Sequence, residues 1–227
     1  GDGVWVISTD DLANVQISVP EHYSGKVDFT VQPVVTENDN PSDVFFDEQN
    51  VSFEVNPVAE ATLSISSNMV EDTISKLNLV AVGADSDEYI SSVTINESDL
   101  SVVIKGVTYQ LTLHDADGNL LTATDGQYTF TYDGTVADQK APDVYVKGPA
   151  NFSGDIPLNI DYTVTDPGRD GLADDTKSGT VAHNLNFAAT TDSIDATLVD
   201  AMGTDVTYTG ATETDIANVA INGSGQV

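Results

Sequence analysis

PANFSGDIPLNIDYTVTDPGRDGLADD, Pro149 to Asp175, is the stretch whose reading decides the fold. It divides into a turn, an alternating strand and a loop rich in carboxylates. A diverged copy, PEHYSGKVDFTVQPVVTENDN, runs from Pro20 to Asn40. Setting Pro20 on Pro149 aligns Tyr23 with Phe152 and Ser24-Gly25 with Ser153-Gly154. It also aligns Val35-Thr36 with Val164-Thr165, and Glu37 with Asp166. Self-similarity at this length marks an array of like modules.

Outward from this pair, the same β pattern recurs. Val27, Phe29 and Val31 alternate with polar residues, and Phe45-Phe46, Val51, Phe53 and Val55 give a closing strand. Asn56 to Glu60 (NPVAE) reads as a linker stiffened by Pro57. Leu63 and Ile65, then Leu77, Leu79 and Ala81, then Ile90, Val93 and Ile95 continue the pattern. Val102 to Ile104, Tyr109 to Leu113, Tyr128 to Tyr132 and Val144 to Val146 follow, and Val181, Leu185 and Phe187 close the module. Upstream of Pro20, Val4 to Ile7 and Val15, Ile17 and Val19 read as two short strands, with Trp5, the one tryptophan, as a core residue. No segment carries sustained period-3.6 apolar spacing. Strands recur every 8–12 residues or so with turn residues between them, which predicts an all-β chain of tandem β-sandwiches.

Three domain segments follow. Residues 1–57 are the C-terminal part of one repeat, 58–191 a complete and enlarged β-sandwich, and 192–227 the start of a further repeat, where Ala196-Thr197-Leu198 echoes Ala61-Thr62-Leu63. The first and last segments together amount to about one module. They pair within one chain, pair between chains, or are simply truncated pieces. The abrupt ends, GDGVWVIS and INGSGQV, read as a segment of something longer.

Composition narrows the function. The 227 residues carry 37 acids against 7 bases, a net charge of −30. That charge repels nucleic-acid phosphates and anionic membrane surfaces. No apolar run of about 18 residues exists to insert into a membrane. There is no cysteine, so a secreted module of this kind needs another staple, and metal is the usual one. Clustered carboxylates suit Ca2+, which takes six to eight oxygens. The competing reading is acidity that serves solubility alone.

The acids gather at turns. Asp166, Asp170, Asp174 and Asp175 lie on one loop bent at Gly168 and Gly171, and Glu37 and Asp39 occupy the matching loop of the earlier module. Asp85, Asp87 and Glu88 form another cluster, and Glu71, with Asp72, follows the linker and is placed to close an interdomain site. For each, a solvated turn is the alternative; for Asp115 and Asp117 the turn is the preferred reading. An EF-hand spacing is absent. So are the GxSxG elbow and the HExxH zinc signature, and His22, His114 and His183 all fall in or beside turns. The expectation is a non-enzyme.

GDGVWVISTDDL, an apolar strand, PEHYSG, an alternating strand, TEND, a closing strand and NPVAE, in that order, resemble the tandem repeats of giant bacterial RTX-type adhesins. The likeness is good over residues 1–60 and looser over 61–191. It implies calcium-stabilised immunoglobulin-like or cadherin-like β-sandwiches on the bacterial cell surface. It also implies type I export, with neighbouring repeats of the same adhesin as partners. The central module departs from the pattern, with extra hairpin material from about Leu100 to Asp138 and Gln127-Tyr128 in place of the Trp. Two functions fit: an adhesin stalk, or a domain that grips a host or biofilm peptide or glycan.

Overall fold

The computed structural model describes residues 3–37, 40–136, 139–190, 193–199 and 205–212. The last two segments, and residues 37 and 40–43, are described by backbone alone. The chain is all-β: the described residues hold two short 3-10 turns and no α-helix. In chain order the strands are β1 (Gly25–Val31), β2 (Val34–Glu37), β3 (Asn40–Phe45), β4 (Gln49–Val55), β5 (Thr62–Ser66) and β6 (Met69–Val70). Next come β7 (Ile74–Lys76), β8 (Asn78–Val82), β9 (Tyr89–Asn96), β10 (Ser101–Ile104), β11 (Val107–Gln110) and β12 (Thr112–His114). The last six are β13 (Gln127–Thr131), β14 (Tyr145–Lys147), β15 (Gly154–Asp166), β16 (Asp175–Ala188), β17 (Ser193–Val199) and β18 (Asp205–Thr212).

Within the central unit, β13-β9-β15-β16-β6 form a five-stranded sheet and β12-β14-β7 a three-stranded one, with β5 paired to β8. All these pairings are antiparallel except β16 with β6, where Phe187 meets Met69 in parallel. Ile156, Leu158, Ile160 and Val164 alternate along β15 and meet Leu63, Leu77, Leu113, Val144 and Val146 in one buried core. The alternation on β9 breaks between Ile90 and Val93, both fully buried. The structure resolves the break as a register shift opposite Thr163 and Val164, an extra residue that restores both apolar side chains to the core face.

The repeat is visible in backbone geometry. Tyr23 N–H bonds Pro20 O at 3.3 Å, and Phe152 N–H bonds Pro149 O at 3.3 Å. His22 and Asn151 both sit in the left-handed region, at φ 60° and 53°, and Gly25 and Gly154 both have φ 130°. The strands after each turn also match: Gly25 pairs with Val55, and Gly154 with Phe187. The copies then diverge. β15 and β16 run on as one ladder from Gly154 to Asp166. Their counterparts are interrupted at Gln32-Pro33, where proline cannot donate to a ladder, and resume as β2 and β3.

The two strands expected before Pro20 do not form, and Trp5 is not in a core. Val4 to Ile7 and Val15 to Val19 carry no strand, and Trp5 is 87% exposed. The reason lies in partners. Val144 and Val146, the counterparts of Val15 and Ile17, are fully buried because β14 pairs with β12 on one side and β7 on the other. Among the described residues the N-terminal unit has no counterparts of β7 and β12, so Val15 and Ile17 have no ladder to join and stand 42% and 53% exposed. Trp5 therefore gives a clean optical check. Its fluorescence should be quenched by acrylamide about as readily as that of free N-acetyltryptophanamide; a strongly protected tryptophan would show that residues 3–19 pack against something in solution.

Candidate metal centre

Strand register assembles the site. β15 pairs with β9 so that Thr165 lies opposite Tyr89. Asp166, next along β15, is thereby set beside the turn that enters β9, Asp85 to Glu88. Carboxylate oxygens of Asp85, Asp87 and Asp166 all lie within 4.8 Å of one another. Two clusters that are 78 residues or more apart in sequence thus form one site.

The entering turn is held from inside and outside. Asp85 Oδ1 accepts hydrogen bonds from the amides of Asp87 at 3.2 Å and Glu88 at 2.9 Å, a local side-chain turn typical of aspartate. Lys140 Nζ donates to the carbonyls of Ser86 at 2.6 Å and Glu88 at 3.1 Å. Arg169 closes the outer side, with Nε at 2.9 Å and Nη2 at 2.5 Å from Asp87 Oδ2.

The linker forms the opposite wall. Four successive amides donate to central-unit carboxylates. Val58 N–H bonds Asp166 Oδ2 at 2.8 Å, and Ala59 N–H bonds Asp175 Oδ2 at 2.8 Å. Glu60 and Ala61 N–H both bond Glu88 Oε1, at 2.6 and 2.8 Å. Lys177 Nζ adds a bond to Glu60 O at 2.9 Å. Pro57, just before this run, has no N–H to leave unsatisfied.

Each of the three aspartates has one oxygen turned to a protein donor: Asp85 Oδ1 to the turn amides, Asp87 Oδ2 to Arg169, Asp166 Oδ2 to Val58. The other oxygen of Asp166, Oδ1, is buried without any hydrogen-bond partner, in a residue only 3% exposed. Leaving a buried polar atom unpaired costs about 1–3 kcal/mol, and more when it is charged. Burial raises the Asp166 carboxyl above its ordinary range, the charges of Asp85, Asp87 and Glu88 push it further, and the Val58 bond only partly opposes them. Burial also pushes Asp87 upward, but the Arg169 and Asp85 hydrogen bonds outweigh it and hold that carboxyl below its usual range. A cation among these oxygens would satisfy Asp166 and relieve the repulsion. The donors are hard oxygens with no sulfur or imidazole among them, which suits calcium or magnesium over zinc or copper.

The remaining acids of the sequence reading have other hydrogen-bond partners. Asp170 Oδ2 accepts Lys26 N–H at 2.9 Å, docking the N-terminal turn, and a Cβ added at Gly25 would lie 2.8 Å from that oxygen. Asp174 accepts Gly168 N–H and shapes its own loop; Asp175 serves the linker. Glu88 is fully buried and serves it too. Glu71 is buried at the opposite end of the β15–β16 ladder, where it accepts Thr190 N–H. Thirteen paired residues at about 3.4 Å each separate the two ends by about 40 Å, so Glu71 does not join the Asp166 site. Asp39 lies outside the described residues, and Glu37 is described by backbone only. The residues missed in the sequence are Lys140, Arg169 and Lys177. Their signal was scarcity: three of the chain's 7 bases converge on the acidic turn and the linker beside it.

A cleft of about 330 Å3 opens beside the site, between the N-terminal turn (Pro20, His22, Tyr23, Ser24), the linker and Asp85 and Asp166. His22 Nδ1 lies 3.0 Å from Glu60 Oε1 across it. No family model matches this chain, and no curated protein matches it.

Proposed function

We propose that this chain is a calcium-stabilised extracellular segment of a large bacterial surface adhesin, a run of tandem immunoglobulin-like or cadherin-like β-sandwiches that supports cell adhesion or biofilm formation as an extender. The observation that carries the reading is the unpartnered, buried oxygen of Asp166, whose carboxylate lies together with those of Asp85 and Asp87 beside a linker already held by four carboxylate bonds. Asp85, Asp87 and Asp166 would hold the ion, which would neutralise like charges and stiffen the angle between units. The repeated turn and the acid excess support a modular, cation-dependent design. So does the pairing of a five-stranded sheet, joined in parallel by its first edge strand, with a second sheet over one core. Neighbouring repeats are the partners of such an extender, and catalysis has no part in it.

The test is calcium alone. At free calcium about a hundredfold above Kd, a single site adds about 2.7 kcal/mol, which for a chain of this size raises Tm by about 5–10 °C. Scattering should show a narrower range of inter-unit angles. Identical melting and scattering in calcium and in chelator would end the proposal. The cleft favours a second reading, in which the junction takes a peptide or glycan. Screening the full chain on peptide and glycan arrays, with and without calcium, separates the two, since an extender binds nothing there.

A further inference from the structure

We propose that Arg169 sets the charge of ion that the Asp85–Asp87–Asp166 site selects, tuning it to a single divalent cation. This rests on the cation reading above. Five acids converge at the site: the three aspartates, Glu88 immediately behind them, and Asp175 paired with Asp166 across the ladder. Three bases are built in beside them. Lys140 and Lys177 are spent on carbonyl oxygens of the entering turn and the linker. Arg169 is the base placed directly on a ligand carboxylate. Together they trim a fivefold negative cluster to two net charges, which one divalent ion neutralises.

The geometry distinguishes trimming from substitution. A guanidinium standing in for the ion would bridge two carboxylates. Arg169 instead directs both Nε and Nη2 to one atom, Asp87 Oδ2, and leaves Asp166 Oδ1 unpartnered. It therefore coexists with an ion on the other oxygens. Its charge also acts on Asp85 and Asp166. Guanidinium does not lose its proton in proteins, so this positive charge is permanent, and the ligand charge count is what tunes affinity in calcium sites. Without Arg169 the same oxygens would carry one more net negative charge and favour a trivalent ion.

The experiment measures Ca2+ and Tb3+ binding separately by calorimetry on the full chain, at fixed ionic strength, for wild type, Arg169→Gln and Arg169→Lys. Any loss of Asp87 orientation weakens both ions and cancels in the ratio of their affinities; the charge does not cancel. Arg169→Gln is expected to raise the Tb3+ to Ca2+ affinity ratio about tenfold, the size of a unit charge acting a few ångströms away across a partly solvated path. Arg169→Lys keeps the charge without the fork and should keep the wild-type ratio. An unchanged ratio in Arg169→Gln, with both ions still bound, overturns the proposal and leaves the cation reading standing. Binding of neither ion to wild type overturns both.

Discussion

Asp166→Asn raises the Tm of the chelated protein by about 3–6 °C and abolishes the gain that calcium gives the wild type. That is the expected result, and the two halves have one cause. In the cation-free protein the Asp166 carboxylate is buried, has one unpartnered oxygen and faces two other carboxylates. Asparagine keeps an oxygen for Val58 N–H and replaces the orphaned acceptor with a donor toward Asp85 and Asp87. Removing an unsatisfied buried group is worth about 1–2 kcal/mol, and at this chain length each kcal/mol moves Tm by about 2–4 °C. The same change deletes a charged ligand and sets an N–H where an ion would bind, so calcium has nothing left to stabilise. If Asp166→Asn lowers the chelated Tm, the buried oxygen has a partner in solution and the site is not strained.

The same residue gives a pH signature. The Asp166 carboxyl titrates higher in the folded protein than its ordinary 3.8, raised by burial and then by its acidic neighbours. The folded state therefore holds that proton more tightly than the unfolded chain does. Stability from this group falls as pH rises from 3.8 through the folded value, and returns on acidification through that window. Asp87 has the opposite sign. With Arg169 and Asp85 holding its carboxyl down against burial, it contributes stability above 3.8 that is lost as pH falls below it. In chelator, Tm of the wild type minus that of Asp166→Asn should rise as pH drops toward 4. A flat difference would show that Asp166 titrates alike in the folded and unfolded chains.

What the sequence made legible was periodic or local. The turn repeat from Pro20 and Pro149, the NPVAE junction and the acidic turns need only neighbours along the chain. What it concealed depended on which strands pair. Nothing local says that Thr165 lies opposite Tyr89, so Asp85–Asp87 and Asp166 read as separate clusters. Nor does alternation reveal that Val15 and Ile17 lack the partners that bury Val144 and Val146, and Trp5 carries no mark of its exposure. Residue type also hid division of labour: one oxygen each of Asp170, Asp175 and Glu88 accepts backbone amides, a role that residue type does not announce.

Glu88 shows how much that expenditure matters. Truncation to alanine is expected to be the most damaging single change at the junction, lowering Tm by about 10 °C, with calcium unable to restore it. Glu88 is fully buried, its Oε1 accepts the amides of both Glu60 and Ala61, and its Oε2 receives Asp85 N–H at 3.4 Å. Glu88→Ala leaves the linker donors without acceptors and opens a cavity; two amide bonds to a charged acceptor, at about 1.5–3 kcal/mol each, put the cost at about 3–6 kcal/mol. Glu88→Gln keeps the shape and one oxygen for the linker but sets an N–H against Asp85 N–H, and should cost about 1–2 kcal/mol. The ordering separates two jobs that the acids share. If calcium alone fixed the junction, saturating calcium would return the scattering profile of Glu88→Ala to that of wild type. If the carboxylate-to-amide bonds fix the linker and calcium only relieves Asp166, the variant stays loose at any calcium concentration, because the ion takes aspartate oxygens and cannot accept from the amides of Glu60 and Ala61.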